Sequence, residues 1–204
     1  MSWSEKISIR IAKKLTPADA EFTVGQVSHG IELFMYNVGY TLILLMLSYF
    51  LGCLQESVLI LAIFIITRTI TGGLHLKSPL ACFVTGTLLI LCAASVVNVL
   101  AGFDSLFSSI VVLLCSLVSL YVNGRFAPAQ HIFGKYDEKI NKKSRKIIMF
   151  FLFFGCILSE FMVYSGYSKL AYCYSIAVLL QSALLHPTII QSVTRFENLI
   201  LKEG

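Results

Sequence analysis

Long apolar blocks, separated by short polar ones, limit this chain to very few folds. Inside a bilayer no water is available to the backbone, so each peptide N–H and C=O must be satisfied within the spanning structure. Helices and closed barrels alone achieve this. The blocks cover about 34–53, about 55–70, 80–101, 105–123, 147–164 and about 168–185. Several approach the ~20 residues that a helix needs to cross the hydrocarbon core, and the shorter ones imply tilt or partial re-entry. They are continuous rather than alternating, which excludes a barrel. The expected fold is therefore all-α: a polytopic membrane protein of about six transmembrane helices. Composition agrees, with 57% hydrophobic and 13% charged residues among 204, against about 25% charged in soluble domains. The mean hydropathy is +0.82.

The polar segments supply the topology. Residues 1–15 place Trp3, Ile7, Ile11 and Leu15 four apart among Lys6, Arg10, Lys13 and Lys14. That spacing makes a basic amphipathic helix suited to an anionic membrane surface. Thr16-Pro17 then restart the chain as cap and first helical residue. No apolar core or small-residue cleavage site marks a secretory signal here. The net charge of +5 could suggest nucleic acid. However, the basic residues avoid the apolar blocks and gather between them, so the charge concerns membrane orientation and no nucleic-acid partner is expected. With the N-terminus in the cytoplasm, fifteen of the sixteen Lys and Arg residues fall on the inner side, seven of them in the loop 124–146, and only Lys169 falls outside. Both termini are then cytoplasmic. No repeat or low-complexity tract divides the chain, and a single membrane domain over 1–204 is expected.

One polar stretch, "RTITGGLHLKSPLAC" from Arg68 to Cys82, has the materials for chemistry. His75 and Cys82 are seven residues apart, which on one unbroken helix means ~10 Å along the axis. The helix is expected to break instead. Gly72 and Gly73 permit backbone shapes that other residues resist, and Ser78-Pro79 restart a helix as N-cap and first residue. Cys82 then occupies the first turn of the third span, with His75 on a loop able to fold over it. A helix N-terminus and an imidazolium both favour a thiolate, and free N–H groups can hold an oxyanion. The bland alternatives are an inert membrane cysteine, an interfacial histidine and an ordinary Gly-Gly turn. The other cysteines, Cys53, Cys92, Cys115, Cys156 and Cys173, act as small hydrophobes. They have neither CxxC nor finger spacing, so no disulfide scaffold is indicated; no metal is expected at His75 and Cys82, which lack further ligands.

Arg68, Gly72-Gly73, His75 and Cys82 between two apolar spans resemble the signature of the AgrB (accessory gene regulator protein B) family. "HGIELFMYN" (29–37) is similar to the segment opening that family's first hydrophobic region, and "FAPAQH" (126–131) to its Ala-Pro motif. Leu76 departs from the pattern, which has a smaller residue after the histidine. The resemblance implies a membrane cysteine endopeptidase of Gram-positive bacteria. It would cut a short AgrD-like propeptide and promote formation of a cyclic quorum-sensing peptide, with Cys82 as nucleophile, His75 as base and no cofactor. It also implies a homodimer among membrane lipids. Arg68 either binds a substrate carboxylate or snorkels to lipid phosphate. Glu32 either orients His75, attracts a basic propeptide, or is a solvated acid at a helix start. Glu160 lies within the fifth span, where an acid is a functional candidate by default. A rival reading of the whole is a small transporter or channel with Arg68, Glu32 and Glu160 on its path.

Overall fold

The computed structural model describes residues 3–17, 22–73, 79–129 and 138–202. Among these there are eight helices and no strand: α1 (Trp3–Leu15), α2 (Val24–Phe50), α3 (Leu54–Thr71), α4 (Pro79–Leu100), α5 (Ser105–Phe126), α6 (Glu138–Tyr164), α7 (Ser168–Ala183) and α8 (Pro187–Lys202). Five of them, α2 to α6, are long and apolar enough to cross a membrane. The bent pair α7–α8, with a 66° angle between its arms, makes a sixth candidate. The chain is thus an all-α, multi-pass membrane protein. It forms two compact units, Met1–Phe50 and Leu51–Gly204.

In the first unit α1 packs antiparallel to α2 through small and polar side chains. Ser8 Oγ meets Ser28 Oγ at 2.9 Å, while Ser4 Oγ donates to Glu32 Oε1 at 2.7 Å and lies 2.9 Å from the Tyr36 hydroxyl. Ser4, Ser8 and Ala12 are the buried residues of α1, and Ile11 and Leu15 stay exposed. The Ile11–Leu15 part of the apolar stripe read from the sequence is therefore left for lipid. The helix touches its neighbour through the small residues one position further on, which let backbones approach closely.

The second unit is arranged around α7, which touches α3, α4, α5 and α6. Its inward residues include Ala171, Cys173, Ser175, Ala177 and Ser182, all small, with Tyr172 and Gln181. The apolar core joins Val122 and Ala127, Ile148 and Leu152 of α6, and Val178 and Leu185. Large side chains such as Leu114, Phe150, Phe153 and Phe161 point outward. Lipid explains this pattern, because a bilayer rewards large apolar groups outside and close packing of small ones inside.

Two boundaries differ from the sequence reading. The first span begins at Val24, ahead of residue 34, because Ser28, Glu32 and Tyr36 make polar contacts with α1 that a hydropathy reading counts against a helix. The loop expected over 124–146 is shorter. α5 continues to Phe126 and α6 starts at Glu138, so Lys142, Lys143, Arg145 and Lys146 form a solvent-facing helical extension of the span. Helix periodicity continues past the membrane edge, whereas hydropathy does not.

Candidate functional site

Helices α3, α5 and α7 end where α4 and α6 begin, so five termini meet at one end of the second unit. The hydrogen bonds between them define the site. Helix α3 stops at Thr71 because Gly72 takes φ +70° and Gly73 φ +137°, values that residues with a Cβ rarely adopt. The Gly72 N–H still donates to the Arg68 carbonyl at 2.8 Å. The orphan carbonyls of the last turn then find partners outside the helix. Ala129 N–H donates to the Thr71 carbonyl at 2.8 Å. Gln181 Nε2, from α7, donates to the Gly72 carbonyl at 2.7 Å and to Thr71 Oγ1 at 2.9 Å.

The neighbouring termini are tied in the same way. Asn123 Nδ2 of α5 donates to Ser182 Oγ of α7 at 2.7 Å. Arg145 of α6 reaches across to α5, with Nε donating to the Ala127 carbonyl at 3.0 Å and Nη2 to the Arg125 carbonyl at 3.1 Å. The Ala127–Ala129 segment, which includes a cis Ala127-Pro128 bond, is therefore held by Arg145 at one end and by Thr71 at the other.

Cys82 is half-buried and lies in the first turn of α4, with Pro79 as the first helical residue. The N–H groups of this turn have no intrahelical acceptors. The Arg68 guanidinium is within electrostatic reach of the Cys82 sulfur and stacks over the Phe64 ring, 5.7 Å from its centroid. The sequence reading linked the arginine only to a carboxylate or to lipid; the structure adds the Cys82 sulfur within its electrostatic range. His75 and Ser78 lie outside the described residues, as do Leu76 and Lys77.

Other sequence candidates fall elsewhere. Glu32 belongs to the first unit, with Ser4 as its partner. Glu160 lies at the opposite end of the second unit, where it accepts from Ser109 Oγ. That end also holds an ion pair that the sequence did not suggest, between Glu56 at the start of α3 and Lys169 at the start of α7. Arg68 and Glu160 are therefore at opposite ends of the second unit. Sequence reasoning also missed Gln181 and Asn123. Their signal was available, since each is a polar amide inside an expected span, and such residues usually face a partner.

The family model described as AgrB, accessory gene regulator B, matches residues 4–185. A Clostridium acetobutylicum protein described as AgrB-like is 25% identical over 181 residues, covering 86% of this chain and 83% of the other. No solved structure matches.

Proposed function

The chain belongs to the AgrB family, and from that premise we propose that it is a membrane cysteine endopeptidase acting on a short AgrD-like propeptide. Membership supports a role in the agr quorum-sensing system. The observation that carries the finer reading is the position of Cys82, in the first turn of α4 and within electrostatic reach of Arg68.

In this mechanism His75 accepts the Cys82 proton as Sγ attacks the scissile carbonyl carbon. A C–S bond forms and the carbonyl π electrons move to oxygen. The N–H groups at the start of α4 and the Arg68 charge stabilise that oxyanion. The oxyanion collapses, the C–N bond breaks, and the proton on His75 passes to the departing amine. The product is the C-terminal fragment and an acyl-thioester on Cys82. A thiol within the bound peptide can then exchange onto the acyl carbon, closing a thiolactone and freeing Cys82. Thioester exchange is near neutral in free energy, so the cyclic product depends on positioning. A held intramolecular nucleophile has an effective molarity of about 10⁵ M or more, well above what free water offers at a site on the membrane rim.

The site and both termini face the cytoplasm in this reading, and the enzyme works as a homodimer among membrane lipids. The orientation is supported by charge. Arg68, Arg125, Lys142, Lys143, Arg145 and Lys146 cluster at the Cys82 end of the second unit, and Lys169 is at the other.

The test uses protein in liposomes and a propeptide whose internal Cys is changed to Ala. This substrate should accumulate as a hydroxylamine-sensitive adduct on Cys82, visible by mass spectrometry. Hydrolysis as fast as normal processing, with no adduct at any time, would show an ordinary hydrolase. No cleavage with the native propeptide would remove the peptidase reading itself.

A further inference from the structure

Helices α3, α6 and α7 enclose a groove of about 520 Å³, lined almost entirely by apolar surface. α3 contributes Leu59 and Ile63, α6 contributes Ile147, Phe150 and Phe154, and α7 the buried Cys173. The groove is open to its surroundings, with Phe150 70% and Phe154 59% exposed. Its volume falls within the ~300–1,000 Å³ of sites that hold small organic ligands. From Ile147 to Met162, both in its lining, it follows α6 for about 22 Å. That is more than one leaflet of a ~30 Å hydrocarbon core and less than both. The length suits an acyl chain and is too short for a spanning helix. The end at Ile147 is marked by charge. Lys143 precedes Ile147 by four residues and Phe150 by seven, and Lys146 precedes Phe150 by four, so both lysines lie on the groove face of α6. Both are exposed, whereas Arg145 is turned to the Ala127 and Arg125 carbonyls. Three positions apart on one helix, Lys143 and Lys146 are near enough for their like charges to repel, and an anion seated between them removes that repulsion.

We propose that the groove holds one acyl chain of an anionic phospholipid whose phosphate sits at Lys143 and Lys146. Such a lipid supplies both halves of the site's chemistry in one molecule. Side chains on a helix lean towards its N-terminus, so the two ammonium groups stand beyond Ile147, at headgroup level rather than in hydrocarbon. A second copy of the protein fits less well. Copies in one membrane share an orientation, so docking groove to groove would set Lys143 and Lys146 against their own equivalents. The proposal does not depend on the peptidase reading.

The experiment uses full-length protein in phosphatidylcholine vesicles. Trp3→Phe removes the single native tryptophan, and Phe154→Trp places a fluorophore in the groove. The vesicles contain the same fraction of either phosphatidylglycerol or phosphatidylcholine with brominated chains, and bromine quenches a tryptophan that it touches. The anionic lipid should quench more strongly, its relative affinity rising about fivefold for each lysine. Lys143→Gln combined with Lys146→Gln should abolish this preference. Ile63→Phe, which narrows the groove without changing charge, should reduce it. Leu114→Trp, on the exposed face of α5, should show no preference that depends on the two lysines. Equal quenching by the two lipids at position 154 overturns the proposal. So does a preference unchanged by Ile63→Phe, because the anion would then rest on the lysines without the groove. Quenching by neither lipid means that a protein helix covers the groove, and this too overturns it. Thermal unfolding checks each variant, and if Phe154→Trp does not fold, Phe150→Trp carries the same measurement.

Discussion

Cys82 differs from the other five cysteines in placement. Cys53 and Cys173 are buried, and Cys92, Cys115 and Cys156 lie along the apolar spans, whereas Cys82 lies in the first turn of a helix, within electrostatic range of Arg68. A variant with Cys82 as its sole cysteine is expected to cleave the propeptide at near the parental rate, and Cys82→Ser to lose cleavage with normal membrane insertion. Loss of cleavage in the sole-cysteine protein, correctly inserted, would count against Cys82. Gly73 gives a sharper test of the turn. Its φ of +137° strains any residue with a Cβ, and that Cβ would press on Gln181 at 3.3 Å. Gly73→Ala should therefore cost about 1–3 kcal/mol and reduce cleavage, read by thermal unfolding and turnover. Parental stability and turnover would mean the turn adapts freely. The Tyr172 hydroxyl, buried with no hydrogen-bond partner among the described residues, supplies the contrast. Tyr172→Phe removes a desolvated polar atom that has no partner to orphan, so stability should stay level or rise slightly. A clear drop in the unfolding temperature would reveal a partner.

At the scale of elements, α6 and α7 meet because α6 has a glycine at the crossing. A Cβ on Gly155 would overlap the Tyr174 hydroxyl, which donates to the Phe151 carbonyl at 3.1 Å. Replacing Gly155 with Leu forces the ring away from α6 and breaks that bond. Overpacking of this kind costs about 1–3 kcal/mol, so the unfolding temperature in detergent should fall. Tyr174→Phe should cost less, since the ring keeps its place. If Gly155→Leu is as stable as the parent, the crossing has slack that the structure does not suggest. The N-terminal extension of α6 follows another rule. Its basic residues leave the apolar span as helix rather than as loop, and this lets Arg145 reach back to the end of α5.

At the scale of the whole molecule, the division of charge gives a topology prediction. In a background without native cysteines, a membrane-impermeant maleimide added to intact cells should label Ser168→Cys but not Lys142→Cys. Labelling of Lys142→Cys from outside would reverse the orientation. How much of this protein can be read from its residues follows from what lipid demands. The spans were legible because each must be a continuous apolar helix whatever surrounds it, and Pro79 and the glycine pair marked the start of α4 and the end of α3 without reference to any neighbour. Cys82 could be placed at a helix start for the same reason, since capping is local. The sequence alone determined these because every one depends on a few consecutive residues. Tertiary structure decided the rest. The apolar stripe of α1 was visible, but burial fell on Ser4, Ser8 and Ala12, because lipid accepts the large side chains and the helix interface takes the small ones. Gln181 and Asn123 could be recognised as polar residues in apolar runs, but not what they would hold. The meeting of Gln181 with Gly72, of Ala129 with Thr71, and of Arg145 with Ala127 requires helix ends distant in sequence to converge. Hydrophobic pattern leaves that choice of neighbours open, because any pair of apolar faces satisfies it equally. The side-chain donors of Gln181, Asn123 and Arg145 reach their acceptors on other helices only where those helix ends come together, and this is what the tertiary structure decided.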